Sequence, residues 1–370
     1  MPPARPAARE RDPIAKSPDP RRCTITDLAT NCDLFCQKSA APGDSTVAHA
    51  TTRAAPAHRR HEKYERLIAA AQSLPRLKVA VAHPCDEAAL GAALEAADLG
   101  LIEPILVGPR ERILAAAATL ATQEPERWRI VEAGHSHASA AQAVALVQAC
   151  AAEALMKGSL HTDELMAAVV RRDGGLRTAR RLSHCFVMDV PGHADPLIVT
   201  DAAINIAPSL EEKRDIVQNA IDLAHAFGVE TVRVAIVSAM ETVNPKVPST
   251  IDAAALCKMA DRGQITGAVL DGPLALDNAI DLGAAAIKRI RSAVAGRANV
   301  LVVPDLEAGN MLAKSLTFLA GADAAGIVLG ARVPIILTSR ADSQTTRLAS
   351  CAVASLVAAA RRTTTALPEV

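Results

Sequence analysis

Short apolar runs alternate with longer amphipathic segments along most of the chain. A helical segment from Tyr64 leads into the β-branched run 77–82, and similar runs at 104–107, 128–131 and 154–156 each precede a turn or a helical stretch. Strands that alternate with helices are joined by right-handed crossovers, which makes neighbouring strands parallel. This part of the pattern predicts an α/β fold with a mostly parallel sheet.

The pattern changes at residue 183. Only a short Pro-Gly turn separates the apolar runs 183–190 and 196–200, and so short a connection requires an antiparallel pair. Helical and strand patterns then alternate again: helices at 209–227, 250–261 and 343–361, and strands at 232–237, 268–270, from 299 and at 335–337. We expect the last helix to return to the first part of the fold. The prediction is two three-layer α/β/α lobes with a cleft between them, 58–182 plus 331–370 and 183–330.

Residues 1–57 differ from the rest. They hold six Pro in the first twenty positions, many Arg and Ala, and no sustained apolar period. This composition is typical of a disordered leader. An Arg-rich transit peptide, an upstream-extended start or a remnant of a fused domain are the alternatives, although four Asp residues before position 34 disfavour the transit peptide.

Composition narrows the class of protein. A chain of 370 residues favours two domains, and with 50% hydrophobic but only 2% aromatic residues the core must be aliphatic. Lys plus Arg equals Asp plus Glu at 40 each, so no global positive field would hold a nucleic acid, and few rings are present to stack on bases. Neither a long apolar span nor a secretory signal is visible, so we expect a soluble, cytoplasmic protein with no membrane partner.

The eight Cys residues are scattered without a CxxC pair, which predicts reduced thiols. Cys32, Cys36, His58 and His61 could form a zinc site, but their spacing fits no standard finger. Neither GxGxxG nor GxxxxGK[ST] occurs. We therefore expect no metal and no redox cofactor.

Residues 299–340 carry the densest chemistry. An aliphatic strand, an Asp-Leu-x-x-Gly-Asn turn, a helix, a second strand and a Ser-Arg pair follow one another. Turns from strand to helix present backbone N–H groups at the carboxyl edge of a parallel sheet, where α/β enzymes bind phosphorylated ligands. This segment therefore predicts a site.

Five motifs at characteristic spacings give a resemblance that covers residues 63–361. They are MKGSLHT (156–162), DAAIN (201–205), DGP (271–273), PDLEAGN (304–310), and GARVP (330–334) leading to TSR (338–340). In this order the chain resembles the phosphate acetyl/butyryltransferase family, and its butyryl branch more closely. The resemblance implies an isocitrate-dehydrogenase-like fold, a homodimer, and acyl exchange between CoA and inorganic phosphate by direct attack in a ternary complex, with CoA as a substrate and not a cofactor.

That reaction needs a cationic clamp for phosphate, a donor to the carbonyl oxygen and a proton acceptor for the CoA thiol. Arg340 is the candidate clamp because a guanidinium holds two phosphate oxygens, with a surface ion pair as the alternative. Ser339 matches the serine of the family and is the candidate donor, or else a helix N-cap. The acetyl branch carries an Asp seven positions later, where this chain has Thr346. Asp342 is the candidate replacement, or a cap for the following helix.

Further candidate substrate contacts lie in two turns. We expect the turn after residue 156 to expose amides to phosphate or to the CoA pyrophosphate, with His161 either a ligand contact or a capping residue. In the second turn Gly309 would permit a positive φ, and Asn310 either lines the cleft or caps the next helix. The complete set is Lys157, Gly158, Ser159, His161, Thr162, Asp305, Gly309, Asn310, and the candidate anion contacts Lys314 and Arg332.

One departure from the acetyl branch bears on the substrate. Met166 stands where that branch has an Arg, and a thioether in its place favours a longer acyl chain such as butyryl. Two rival functions remain. One is a non-catalytic acyl-CoA-sensing module of the same fold, and the other is a dehydrogenase-like relative that acts on a phosphorylated small molecule with a nicotinamide.

Overall fold

The computed structural model describes residues 62–120, 127–339 and 341–363. The strands in these ranges are β1 (Leu77–Ala82), β2 (Ile102–Gly108), β3 (Arg129–Glu132), β4 (Ala154–Lys157), β5 (Ser183–Asp189), β6 (Leu197–Thr200), β7 (Arg233–Val237), β8 (Val269–Leu274), β9 (Val300–Val302), β10 (Asp323–Leu329) and β11 (Ile335–Ile336). The helices are α1 (Glu62–Gln72), α2 (Glu87–Asp98), α3 (Arg110–Thr119), α4 (Ser136–Gln148), α5 (Thr162–Val169), α6 (Leu210–Ala226), α7 (Pro248–Asp261), α8 (Leu276–Ile280), α9 (Leu282–Ile287), α10 (Leu306–Phe318) and α11 (Gln344–Thr363).

All eleven described strands form one sheet in the order β3-β2-β1-β4-β11-β10-β5-β6-β9-β7-β8. The first five strands are parallel, and so are the last four. Between them β11–β10, β10–β5 and β5–β6 are antiparallel pairs. The mostly parallel α/β fold is confirmed, and so is the antiparallel pair predicted for 183–190 and 196–200. Because the chain reverses three times in the middle, the strands of the two outer groups point in opposite directions.

The hydrophobic core is built on both faces of this sheet. Along β1, Val79 and Val81 belong to one continuous cluster beneath α1, α2, α6, α7 and α11, whereas Ala80 and Ala82 belong to a smaller cluster on the other face. That second face carries another separate cluster around β6 and β9. Its two clusters meet along β10, where Val328 belongs to one and Ala324 to the other.

Local signals explain where several helices begin. Ser209 caps α6 through a reciprocal pair of bonds with Glu212, and the Asp86 side chain accepts the N–H of Ala89 at the start of α2. The last helix, α11, packs against α1 and α2, as expected, and also along β10. The division into the lobes 58–182 plus 331–370 and 183–330 remains a prediction.

The predicted leader and the residues considered as zinc ligands lie outside the described ranges. Within those ranges, no group of His, Cys, Asp and Glu side chains is arranged to hold a metal ion. None of the described helices is both long and apolar enough to cross a membrane.

Candidate active site

The adjacent parallel strands β4 and β11 bring two of the predicted segments to the same edge of the sheet. Ile336 pairs with Met156, so the residues that follow, Lys157 on one strand and Thr338 and Ser339 on the other, leave the sheet side by side. Neighbouring strands are about 4.8 Å apart. The loop after β4 (residues 157–162, called the lysine loop) therefore lies next to the turn after β11.

The turn after β11 (residues 338, 339, 341 and 342, called the serine turn) is held by its own hydrogen bonds. The N–H of Ser339 donates to Asp342 Oδ2 at 2.6 Å, and the N–H of Asp342 donates to the Ser339 carbonyl at 3.2 Å. Ser339 is exposed, and its hydroxyl accepts a long bond of 3.4 Å from the N–H of Ala341. The hydroxyl thus lies at the strand end and can donate its proton to a ligand that binds there. Arg340, the predicted clamp, lies outside the described residues.

Neither Ser339 nor Asp342 is the cap of the following helix. Ser343 fills that role, because its hydroxyl accepts the N–H of Thr346 at 3.1 Å. One carboxylate oxygen of Asp342 instead accepts the N–H of Ser339 within the serine turn. The alternative in which Asp342 caps α11 is therefore wrong.

Arg347 anchors the serine turn from α11. Its side chain is buried and donates to the Ser339 carbonyl at 3.0 Å and to Thr338 Oγ1 at 3.4 Å. These bonds fix the backbone that presents the Ser339 hydroxyl. Arg347 is not among the residues predicted from the sequence, where its only signal is an Arg on the first turn of an otherwise apolar helix face.

The lysine loop does not expose its first amides. The N–H groups of Gly158 and Ser159 donate to the carbonyls of Ala82 and His83, each at 2.9 Å. The Ser159 hydroxyl donates to the His83 carbonyl at 2.7 Å and accepts the N–H of Cys85 at 3.1 Å. The expectation of exposed amides at these two positions was wrong, because the loop continues the ladder with β1. Gly158 is required there, since a Cβ atom would lie 2.3 Å from the Ala82 carbonyl oxygen.

The rest of the lysine loop supplies side chains. Lys157 is buried, and its ammonium donates to the Gly158 carbonyl at 3.3 Å. His161 is exposed at the N-cap position of α5 and makes no side-chain capping bond, and Thr162 is the first residue of that helix. Lys157, His161 and Thr162 are therefore the groups of this loop that remain suited to an anionic ligand.

A second polar cluster follows β1 at the same sheet edge. His83 adopts a left-handed backbone conformation with φ of 58°, and its ring contacts Ser139 Oγ at 3.0 Å and an Arg112 nitrogen at 3.4 Å. Burial, and then the Arg112 charge, lowers the pKa of His83, while Glu164 acts in the opposite direction. The ring is thus held neutral beside a cationic guanidinium.

The remaining predicted contacts lie at other positions of the sheet. Strand β9 runs opposite to β11, so Asp305 and Lys314, which follow β9, are at the opposite edge. Asp305 caps α10 by accepting the N–H of Ala308 at 2.8 Å, and the exposed Lys314 lies 5.9 Å from the centre of the Phe318 ring. Arg332 precedes β11, whereas Ser339 follows it. The structure does not bring Asp305, Lys314 or Arg332 to the serine turn.

Gly309 and Asn310 join α10 to the loop after β6. Gly309 has a helical backbone within α10, so the predicted positive φ was wrong. Glycine is needed there for close approach, because a Cβ atom would lie 2.6 Å from the Asp201 carbonyl oxygen. Asn310 caps no helix, and its amide donates to the Ala202 carbonyl at 3.2 Å.

The loop after β6 (residues 201–205, called the aspartate segment) is organised by one buried carboxylate. Asp201 Oδ1 accepts the N–H groups of Ala203 and Ile204 at 2.9 and 3.0 Å. Its Oδ2 accepts the N–H of His184 at 3.1 Å and the side-chain amide of Asn205 at 2.6 Å. Four donors therefore surround one anion, which ties the start of β5 to this segment.

His184 is a second residue of interest that is not among those predicted from the sequence. Its ring is fully buried, and neither ring nitrogen makes a hydrogen bond of normal geometry to the described residues, although the Leu337 carbonyl is close enough to act on the ring. The ring meets Phe186 edge-on at a centroid distance of 4.4 Å. Burial lowers the pKa of His184, against the opposing effects of the Asp201 carboxylate, the Leu337 carbonyl and the Asp342 carboxylate. The only sequence signal was a lone His within an apolar strand.

The comparison with protein families decides the assignment. Residues 135–355 match the family described as phosphate acetyl/butaryl transferase, a range that contains the lysine loop, the aspartate segment and the serine turn. This chain belongs to that family. The family suggested by the five motifs is therefore confirmed.

Individual relatives agree with the family assignment. A phosphate acetyltransferase of Rhizobium meliloti is 67% identical over 300 residues, which cover 81% of this chain and 95% of that protein. A probable phosphate butyryltransferase of Bacillus subtilis (strain 168) is 45% identical over 292 residues, covering 79% and 97%. The crystal structure of a branched-chain phosphotransacylase from Enterococcus faecalis V583 matches with a TM-score of 0.67 at 30% identity, covering 76% and 99%. This member of the family is a phosphate acyltransferase.

Proposed function

We propose that this enzyme exchanges a short-chain acyl group between CoA and inorganic phosphate by direct attack within a ternary complex. The observation that carries the proposal is the serine turn, where an exposed hydroxyl is presented at a strand end by Asp342 and Arg347. In the acyl phosphate direction a phosphate oxygen attacks the thioester carbonyl, the C–S bond breaks, and the thiolate takes up a proton to leave as CoA.

Each part of the serine turn has a role in this scheme. The Ser339 hydroxyl donates to the carbonyl oxygen as negative charge develops on it. Arg347 fixes the backbone of Ser339, and Asp342 holds the Ser339 N–H. Arg340, which follows Ser339 directly in the sequence, is proposed as the clamp on the phosphate. Asp342 is the candidate proton acceptor for the CoA thiol in the reverse direction, and it returns that proton to the thiolate in the acyl phosphate direction.

The phosphates of the substrates are proposed to bind on the side chains of the lysine loop. Lys157 supplies positive charge next to β11, and His161 and Thr162 supply donors at the start of α5. Gly158 and Ser159 support this loop through their bonds to the β1 carbonyls. The residues at the start of α10, Asp305, Gly309 and Asn310, are proposed to hold the aspartate segment in place, with Lys314 and Arg332 outside the reaction.

The remaining parts of the proposal concern the conditions of catalysis. CoA is a substrate, no metal or redox cofactor takes part, and the enzyme works in the cytoplasm as a homodimer. Met166 packs, with Ile204, against the aliphatic cluster of α4 and α5 and so offers an apolar surface near the lysine loop. Such a surface favours acyl chains longer than acetyl.

A single assay tests this proposal. Release of free CoA is followed with acetyl-, propionyl- and butyryl-CoA in the presence and absence of phosphate. We expect release of CoA only when phosphate is present. The rate should be higher with propionyl- or butyryl-CoA than with acetyl-CoA, because the Met166 surface favours longer acyl chains. Binding of acyl-CoA without any release would favour a sensing module, and phosphate-independent reduction of a nicotinamide with a phosphorylated substrate would favour a dehydrogenase-like activity.

A further inference from the structure

His184 lies where several parts of the site meet. It is on β5, at the junction of the two aliphatic clusters that Val328 and Ala324 mark on the neighbouring strand β10. Between those two residues stands Gly326. A Cβ atom at Gly326 would lie 2.5 Å from the Leu337 carbonyl oxygen and 3.1 Å from His184 Nε2. The ring and the Leu337 carbonyl therefore crowd the same α-carbon.

The backbone of His184 is fixed on both sides. Its N–H donates to Asp201 Oδ2 at 3.1 Å, and its carbonyl accepts the hydroxyl of Thr200 at 2.9 Å. The Phe186 ring packs edge-on against the imidazole. The residue is thus held in a fixed position next to Gly326, which the carbonyl of Leu337, two positions before Ser339, also approaches.

We propose that the neutral imidazole of His184 is a positioning residue that sets the serine turn for acyl transfer. This inference rests on the proposed function. Three contacts form a series. Gly309 and Asn310 of α10 lie against the aspartate segment, and Asp201 of that segment accepts the N–H of His184. His184 is the last member of this series, and its ring lies near Gly326 of β10, as does the Leu337 carbonyl, just after β11.

Charge explains why the neutral form is needed. Burial lowers the pKa of the ring, and the charged groups that oppose this shift are Asp201 from the loop after β6 and Asp342 from the serine turn. On strands β5 and β10 the ring lies near the uncharged Phe186 and Gly326, and the cationic side chain of Arg347 on α11 is bonded to Thr338 and Ser339. A protonated ring would attract the Asp342 carboxylate, which holds the Ser339 N–H. Protonation would therefore pull the serine turn out of position.

The test is the pH profile of kcat in the His184→Asn variant, because Asn retains polarity but cannot be protonated. In the wild type we expect kcat to hold at about pH 6.5, the ordinary pKa of His, and to decline only at lower pH, because burial lowers the pKa of His184. In His184→Asn we expect kcat at about pH 8 to be reduced about 10-fold to 100-fold, with KM for phosphate and acyl-CoA within about twofold, and this acid limb to disappear. His225→Asn, an exposed His on α6 bonded only to the Gly267 carbonyl, is the matched control and should retain the wild-type profile.

The outcomes separate the two levels of proposal. An inactive wild type at every pH overturns the proposed function itself. An active wild type whose kcat and acid limb are both unchanged in His184→Asn overturns the role of His184 alone. A fall in kcat that is accompanied by an equally large rise in KM would also overturn the role of His184, because a structural defect changes both constants. A similar change in the His225→Asn control would overturn it as well.

A second measurement covers a variant that fails to fold. The ring signals of His184 in wild-type protein, identified by their contact with Phe186, are titrated by NMR alongside the activity. We expect the ring to stay neutral at about pH 6.5 and to take up its proton at the lower pH where kcat declines. Titration like that of an exposed His, with no matching change in kcat, overturns the proposal.

Discussion

At the scale of single residues, the site depends on a few side chains that hold backbone groups in place. Ser339 is presented by two neighbours with opposite charges, Asp342 at its N–H and Arg347 at its carbonyl. Asp201 does the same for the aspartate segment with four donors around one carboxylate. In both places the functional geometry is set by charge-assisted bonds to the backbone, which are among the stronger hydrogen bonds in proteins.

The role of Ser339 is tested by Ser339→Ala. Loss of one donor to a developing oxyanion lowers kcat about 100-fold to 1,000-fold, and we expect KM to change little. Ser73→Ala, at an exposed serine after α1, is the control and should leave kcat unaltered. Near-normal turnover in Ser339→Ala would show that the hydroxyl does not contact the carbonyl oxygen.

The role of Asp201 is tested by Asp201→Asn. The substitution removes the negative charge and replaces one carboxylate oxygen by an NH2 group. The donors that bond to this oxygen in the wild type then face another donor. We expect the free energy of unfolding to fall by about 2 to 4 kcal/mol, measured by urea denaturation. A loss below about 0.5 kcal/mol would mean that the four bonds add little to stability.

At the scale of elements, the direction of each strand decides which loops can cooperate. Strands β4 and β11 are parallel neighbours, so the lysine loop and the serine turn share an edge. Strand β9 points the other way, so the turn after it serves α10 and the aspartate segment instead. The sequence pattern predicted 209–227 as a helix, in agreement with α6 and its two caps, because local period and capping residues suffice for that purpose. It did not predict that β9 and β11 oppose each other.

A helix cap that stabilises α6 alone should affect stability and not catalysis. Helix α6 covers the continuous core cluster on the face of the sheet that α11 also covers, and its capping box starts at Ser209. Ser209→Ala should lower the free energy of unfolding by about 1 kcal/mol, seen as a lower thermal midpoint, with kcat unchanged. A loss of activity without loss of stability would contradict this assignment.

At the scale of the whole molecule, buried ionisable groups define a pH window for stability. Burial lowers the pKa values of His83 and His184, and it raises the pKa values of the thiols of Cys185, Cys257 and Cys351 to about 12. Below about pH 6.5 the unfolded chain takes up protons that the folded histidines refuse, so stability is lost as the pH falls from there towards the folded pKa values. Above about pH 9 the unfolded thiols release protons that the folded ones keep, so stability is lost again as the pH rises.

This window is measured by thermal unfolding from about pH 5 to about pH 11 under reducing conditions. The midpoint should be highest between about pH 6.5 and pH 9, and each responding group should contribute at most about 1.4 kcal/mol per pH unit outside it. A midpoint that rises steadily to the alkaline end would contradict the burial of the three thiols.

The sequence by itself determined the elements and the family. Apolar period marked most strands and helices, and the five motifs identified the acyltransferase family because their residue types are local and readable in order. Only the tertiary structure decided which loops meet, because strand order and direction depend on pairings between segments far apart in the chain, such as β4 with β11. The tertiary structure also decided three local features for the same reason. The Gly158 N–H donates to the end of β1, Arg347 holds the Ser339 carbonyl, and the His184 ring is buried without a hydrogen bond of normal geometry to any described residue.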